Sequence, residues 1–377
     1  MPFNSEGVST EGVALALSGG GYRAVLFHCG AFLRLNEMAI LSRVARISSV
    51  SGGSIAAGRL ALKWPDLAMD AQGRFDGSLL DQVIGPLRRF CGQALDVAAT
   101  LRGALNPFKT AGDELIQAYR SKLKFGVPLK DLIAKGPRFV FNATNYATGT
   151  SFRFSAPYCG DYRIGLIYKH DFDLATAVAC SSAFPPVFAP IELDVDPSKF
   201  EHTLGADLFA DEAFRRRLSL ADGGIYDNMG LETVWGRYTT VLVSDGGKPF
   251  ELNPEPGGGL KQLSRVADIG LNQALALRKR FLIDAFQAGK KAGTYWGIGT
   301  LVDDYGLGLE SLEVAPAMTA KLRSMRTRLN SFSEQEQEEL INWGYAVCDA
   351  AIRSHASELV EAGTSSAKFP FPGRKMS

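Results

Sequence analysis

Ser49-Val50-Ser51-Gly52-Gly53 sets a serine among small residues. This is the pattern of the G-x-S-x-G nucleophile elbow, with Ser in place of the first Gly. Small neighbours let the backbone take the strained turn that lifts a hydroxyl out of a sheet toward a carbonyl carbon, although an ordinary strand-to-helix turn has the same composition. Gly19-Gly20-Gly21-Tyr22-Arg23-Ala24 satisfies G-x-G-x-x-A. Backbone N–H groups in such a loop serve a dinucleotide pyrophosphate, an oxyanion formed in acyl transfer, or nothing beyond a tight turn, and the loop alone leaves the three open. The dinucleotide reading asks for an acidic residue at the end of the next strand, where this chain has Ser51, and the Gly-Lys-Ser/Thr of a P-loop is absent from its expected place. A serine nucleophile also needs a base. His28, His170, His202 and His355 share no common context and read as structural or surface residues. The Asp-Gly-Gly turns at Asp222 and Asp245 each offer a carboxylate instead, which serves when partial burial lifts its pKa toward working pH.

These groups must be held by a frame, and the first sixty residues supply its pattern. GVALAL (12–17) is short, apolar and closed by the glycine loop, as a buried parallel strand is; 22–35 has helical spacing; 47–50 is a second β-favouring run, followed by an Ala-rich helix over 54–62. Strand, tight turn and helix repeat, which predicts an α/β fold with a mostly parallel central sheet and helices on both faces. Residues 75–125 read as a helical insertion without a strand, a lid or a set of core-packed helices in its 79–105 stretch. Strand signals return in RFVFNATN, TSFRFSAP, VFAPIEL and TTVLVSDGG. Beyond 260 the pattern is mostly helical, with Ser333 and Glu336 spaced as a capping box, and the closing KFPFPGRKMS reads as irregular. LNPEPGGGL (252–260) is a linker or a long surface loop. The expected organisation is one domain over 1–377, with its core at about 12–250, the insertion at 75–125 and a helical C-terminal region at 260–360.

The 377 residues are 46% hydrophobic, with 41 Lys+Arg against 40 Asp+Glu. An extended disordered chain does not have this composition, and no run approaches the roughly 18 to 20 apolar residues that cross a bilayer. Balanced charge argues against nucleic acid as the main partner. Cys29, Cys91, Cys159, Cys180 and Cys348 are scattered with no CxxC pair, so neither a disulfide framework nor a zinc site is expected. The N-terminal dozen residues carry two Glu and no basic stretch, so a cytoplasmic protein is expected.

Taken in order, SGGGYRA, SVSGGS and LADGGIYDN resemble the three signature blocks of the patatin-like phospholipase family, and NATNYATGTSFRF and DLATAVACSSAFPPVFAPI resemble the segments between them. The resemblance spans about 12–250. It implies a three-layer α/β fold and a lipid acyl hydrolase of phospholipase A type, working through a Ser–Asp dyad and an acyl-enzyme, with no cofactor and no metal. Carried over residue by residue, it implies Ser51 as nucleophile, Asp222 as base, and Gly19, Gly20 and Gly21 as the oxyanion loop. Asp222 is preferred over Asp245 because only Asp222 is followed by Ile-Tyr-Asp-Asn. Ser49 departs from the usual Gly, which leaves the backbone angle there in question. Arg23 is placed to meet a lipid phosphate or to pair with a carboxylate, and Arg215-Arg216-Arg217 to meet anionic headgroups or to be solvated surface. The implied partner is membrane phospholipid at the bilayer surface. Because the family also holds injected toxins that need host cofactors and antiphage effectors switched on by cyclic nucleotides, a hydrolase silent until an activating ligand or protein binds is the alternative, with the C-terminal third as the place for that control. A nucleotide-binding oxidoreductase using the glycine loop is the other.

Overall fold

Strand β1 (Thr10–Leu17) is apolar on both sides because both of its faces are covered. Leu15 and Leu17 enter one core, while Ala14 and Ala16 enter a second, smaller one. The computed structural model describes residues 10–95, 110–132 and 136–377. Its remaining strands are β2 (Val44–Val50), β3 (Arg138–Asn145), β4 (Thr150–Ser155), β5 (Tyr158–Asp161), β6 (Gly165–Tyr168), β7 (Ile191–Asp194), β8 (Arg217–Asp222), β9 (Tyr238–Asp245) and β10 (Ala292–Gly297). They form one mixed sheet in the order β10-β9-β1-β2-β3-β4-β5-β6, with β8 on β3 and β7 on β8. From β10 to β3 every neighbour is parallel. Beyond β3 the strands are antiparallel.

The main helices are α1 (Gly21–Glu37), α2 (Gly52–Lys63), α3 (Gly85–Cys91), α4 (Ala111–Lys122), α5 (Leu174–Ser182), α6 (Leu260–Gln287), α7 (Pro316–Ser324) and α8 (Glu334–His355). Helices α1 to α5 and α8 pack over the larger core, and α6 with the Met229–Trp235 segment covers the smaller one. Helices therefore lie on both faces, in three layers. Helix α8 opens with the anticipated box: Glu336 N–H donates to Ser333 Oγ, and Ser333 N–H to the Glu336 carboxylate. It crosses α1 at two glycines. A Cβ on Gly344 would lie 1.9 Å from the Phe27 carbonyl oxygen, and one on Gly30 would lie 2.0 Å from that of Ile341. Only backbone fits between these helices, so the C-terminal region is packed into the frame.

In the expected 75–125 insertion, Leu79, Val83, Ile84, Leu87 and Phe90 are buried in the larger core, which is the core-packed arrangement for that part. The rest of the 79–105 stretch, from 96 on, lies outside the described residues, as do 1–9 of the N-terminal segment. The loop expected around 252–260 is exposed and leads into α6. Among the described residues no helix is long and apolar enough to cross a membrane.

Candidate active site

One strand brings the two chemical ends together. Strand β2 runs parallel to β3 and finishes with Val50 opposite Asn142. Strand β8 arrives antiparallel on the same side of β3 and finishes with Asp222 opposite Ala143. The C-terminal ends of β2 and β8 thus meet nose to nose against consecutive residues of β3, with Ser51 following one and Asp222 ending the other. The Ser51 hydroxyl comes close enough to the Asp222 carboxylate to favour its ionised form.

Ser51 stands at φ 52° and ψ −120°, a conformation that L-residues avoid unless the surroundings impose it. The surroundings do so through α5. Ser51 N–H donates to the Ser181 carbonyl (3.1 Å), Asp222 N–H to the Ala183 carbonyl (2.9 Å) and Gly223 N–H to the Ser181 carbonyl (3.1 Å), so one helix end grips both halves of the pair. Ser181 Oγ donates to the Asn142 carbonyl (2.6 Å) and lies 2.8 Å from Ser54 Oγ. Ser49 answers the question its identity raised. It sits inside β2 with no positive φ, and its hydroxyl donates to the Val140 carbonyl at 3.2 Å, so no glycine is needed.

The Asp222 carboxylate is buried and accepts Gly224 N–H at 2.7 Å. Burial pushes its pKa up to about 6, against the opposing pull of the Ser51 hydroxyl and of Gly224 N–H. At neutral pH it is mostly ionised yet ready to take a proton. Asp245 is differently employed: it accepts Tyr295 O–H at 2.8 Å and Gly247 N–H at 2.9 Å. The histidines are engaged elsewhere. His28 lies 3.0 Å through Nε2 from the Ser18 carbonyl and 2.8 Å through Nδ1 from Ser244 Oγ, and burial lowers its pKa to about 4, so it is a neutral tie between β1 and β9. His170 bonds the Ser155 carbonyl, His202 packs edge-on against Phe209, and His355 packs on Tyr305.

The glycine loop borders Ser51. A Cβ on Gly19 would come within 3.0 Å of Ser51 Cβ. The three expected oxyanion donors are not equivalent, because Gly19 N–H is already given to the Asn228 carbonyl at 3.0 Å. Gly20 (φ 143°) and Gly21 (φ 56°) need glycine's freedom and lead into the first turn of α1. Sequence reasoning missed Gly52, the residue after the serine, whose Cβ would lie 2.1 Å from the Gly21 carbonyl oxygen and 3.0 Å from its nitrogen. Among the described residues, the N–H groups of Gly20, Gly21 and Gly52 have no protein acceptor. It also missed Asn228, whose amide fills the space left by three glycines, Gly19, Gly224 and Gly247, and so braces the loop against the Asp222 turn. The signal was present in the LADGGIYDN block, but nothing local said where its last residue would point.

Arg23 corrects an expectation. It is fully buried, and among the described residues its guanidinium is engaged by carbonyls rather than by a carboxylate: it donates to those of Gly246 (3.0 Å), Arg323 (2.8 Å) and Met325 (2.8 Å). The C-terminal region supplies two of these acceptors, and Thr327 of the same region abuts Gly21, where a Cβ would lie 1.5 Å from the Thr327 carbonyl oxygen. The basic run is likewise spent locally. Arg215 is buried, giving Nη1 to the Pro197 carbonyl and stacking on Phe209, while Arg216 pairs with Glu212 and Arg217 with Glu192.

The fold resembles human GIVD cytosolic phospholipase A2 at 12% identity and a TM-score of 0.50, covering 95% of this chain and 63% of that one. The same human protein in complex with methyl gamma-linolenyl fluorophosphonate and terbium chloride aligns at 13% identity and a TM-score of 0.52, over 93% of this chain and 58% of that one. This chain therefore spans about three-fifths of the length of those structures. VipD from Legionella pneumophila matches at 13% identity and a TM-score of 0.38, over 92% of this chain and 67% of that one. No curated protein is a significant match. The family model described as patatin-like phospholipase matches residues 15–235, more than half of the sequence and the whole stretch from the glycine loop through Asp222, and the chain belongs to that family.

Proposed function

We propose that this protein is a lipid acyl hydrolase of phospholipase A type, with Ser51 as nucleophile and Asp222 as its sole base. The observation that carries the reading is the meeting of β2 and β8 on β3. It brings a strained serine up to a buried carboxylate whose pKa is raised to about 6 and which, among the described residues, no cationic side chain neutralises.

Ser51 Oγ attacks the ester carbonyl carbon while its proton passes to Asp222. The tetrahedral oxyanion rests on N–H groups of Gly20, Gly21 and Gly52 at the starts of α1 and α2. When the C–O bond breaks, the leaving alkoxide takes the proton from Asp222 and departs as the lysolipid alcohol. Water then attacks the acyl-enzyme carbonyl with Asp222 accepting its proton, and as the bond to Ser51 Oγ breaks Asp222 returns that proton to the serine oxygen, releasing the fatty acid and restoring free Ser51. A lipid substrate suits the surroundings. Tyr146, whose phenol feels the Asp222 charge, and Phe184 and Val187, just beyond the carbonyl that holds Asp222, are large apolar side chains left 44%, 52% and 44% exposed. Such a rim fits acyl chains or a bilayer surface better than water.

The test is fatty acid release from mixed phospholipid vesicles by wild type and Ser51→Ala, with a fluorophosphonate label read by intact mass. Release and labelling that both vanish in Ser51→Ala, a fall of about a thousandfold or more in rate, are expected. Release that persists in Ser51→Ala would sink the assignment.

A further inference from the structure

The opposite end of the sheet holds charge that the proposed acyl chemistry does not use. Arg46, near the start of β2, is only 4% exposed. One of its nitrogens, Nη1, donates to the Thr233 carbonyl at 2.9 Å, and its guanidinium lies 5.5 Å from the centre of the Tyr238 ring. Its Nε is buried with no hydrogen-bond partner. Two more arginines, Arg138 and Arg237, act on it electrostatically, and both are exposed. Burial first, and then repulsion from Arg237 and Arg138, hold the Arg46 pKa below the ordinary arginine value despite the favourable influence of Tyr238 and Tyr158. Among the described residues none of the three arginines has a carboxylate partner. A buried cation left unpaired among like charges is costly, and each unsatisfied buried donor calls for an explanation.

A cavity of about 590 Å³ opens here, bordered by Arg46, Arg138, Lys130, Tyr238, Phe139 and Pro157. Among the described residues no acidic side chain lines it, and Lys130 is paired with Asp171 at 2.6 Å. Its volume is that of a small-molecule site. The start of β1 runs alongside Tyr238. Gly12 takes φ 134°, a Cβ there would lie 3.7 Å from the Tyr238 ring, and the register of β1 shifts against both neighbours at this point.

We propose that this cavity binds an organic phosphate, with Arg46 and Arg138 holding the phosphate oxygens, Arg237 adding long-range attraction, and Tyr238, Phe139 and Pro157 receiving the organic part. Guanidinium forks match phosphate oxygens in geometry as well as charge, and an anion here would meet Arg46 and Arg138 at the cavity wall and offset the repulsion that Arg138 and Arg237 exert on Arg46. The site is distinct from the acyl-transfer centre. Ser51 lies five positions along the chain from Arg46, about 16 Å at roughly 3.3 Å per residue. The same chemistry could reach the cavity as a soluble phosphate ester or as a lipid headgroup.

The experiment measures binding to the full chain by calorimetry at fixed ionic strength. The soluble probes are inorganic phosphate, glycerol phosphate and adenosine monophosphate, and vesicle flotation uses phosphatidylcholine with and without phosphatidic acid. Saturable binding of a probe is expected in wild type and, undiminished, in Ser51→Ala, so the result stands whether or not the acyl hydrolase reading does. Affinity should fall tenfold or more in Arg46→Gln, and also in Arg138→Ala/Arg237→Ala, whose changes are on exposed side chains and leave the fold intact. Binding of soluble esters with no arginine-dependent flotation assigns a soluble ligand. Arginine-dependent flotation on phosphatidic acid, competed by glycerol phosphate, assigns a headgroup. No binding of any probe to wild type, or equal affinity in Arg138→Ala/Arg237→Ala, overturns the proposal.

Discussion

Replacing Asp222 by Asn should abolish turnover and at the same time make the protein more stable. In the folded state burial raises the Asp222 pKa to about 6 from an ordinary 3.8. Each unit of such a shift corresponds to about 1.4 kcal/mol of preference for the protonated form, so the ionised carboxylate costs the native state about 3 kcal/mol at pH 8. The sign follows from proton counts. Below about pH 4 the group is protonated in both states and costs nothing. Between about pH 4 and pH 6 the unfolded chain ionises while the native one resists, and stability drains away; above about pH 6 the full cost is present. Asparagine is isosteric, can still accept Gly224 N–H, and carries no charge at any pH. With an unfolding entropy of about 0.8 kcal/mol/K for 377 residues, 3 kcal/mol corresponds to a rise in Tm of roughly 4 °C. The assay is calorimetric melting of both proteins across pH 4 to pH 8, beside fatty acid release. The expected pattern is a melting difference that grows from near zero at the acid end to a plateau above pH 6, with activity gone throughout. A variant that melts at or below the wild-type temperature at pH 8, or one that keeps its activity, would refute the reasoning that this carboxylate is both desolvated and the base.

The same ionisation should govern rate: kcat/KM for a water-soluble ester is expected to fall with unit slope below about pH 6, leaving about a tenth of the plateau at pH 5, whereas a profile flat to about pH 4 would mean another base. Asp245→Asn keeps the acceptor for Tyr295 and should hold kcat within a few-fold of wild type, measured by fatty acid release. Gly52→Ala drives a Cβ against the Gly21 carbonyl and should slow both turnover and fluorophosphonate labelling by about a hundredfold or more, the scale seen when one oxyanion donor is lost. Gly344→Ala forces α8 off α1 and should lower stability by about 3 kcal/mol or more in denaturant melts; a loss under 1 kcal/mol would mean that the crossing is looser than its backbone contact implies.

What could be read in advance was whatever is written locally. GVALAL, the glycine loop and SVSGG announce strand, loop, strand and elbow because composition and turn chemistry are consecutive in sequence, and Ser333 with Glu336 announces a helix start for the same reason. Strand β8 was not anticipated, since RLSLAD is short and half polar, and β10 was hidden because AGTYWG has glycines at its second and last positions and follows a long helix. The family resemblance supplied Ser51 and Asp222 as a pair, yet no periodicity could say that both ends would be gripped by the last turn of α5. Arg23 was misread because its acceptors, at 246, 323 and 325, converge only after folding. Asn228, through its side-chain amide, and Gly52, through its backbone, act on glycines that folding brings beside them, for which a single sequence carries no marker.

The junction of β2 and β8 on β3 makes the proposed pair an all-or-nothing property of alignment. A slip of β8 by one residue would set Ala221 opposite Ala143 and turn the carboxylate to the other side of the sheet, with no intermediate arrangement in which it half reaches Ser51. The loops between the two strand ends, outside β3 and α5, can lengthen or shorten without entering that count, because loop closure depends only weakly on length. Insertions in those loops are the changes this site should survive, and a single-residue deletion inside Arg217–Asp222 is one it should not.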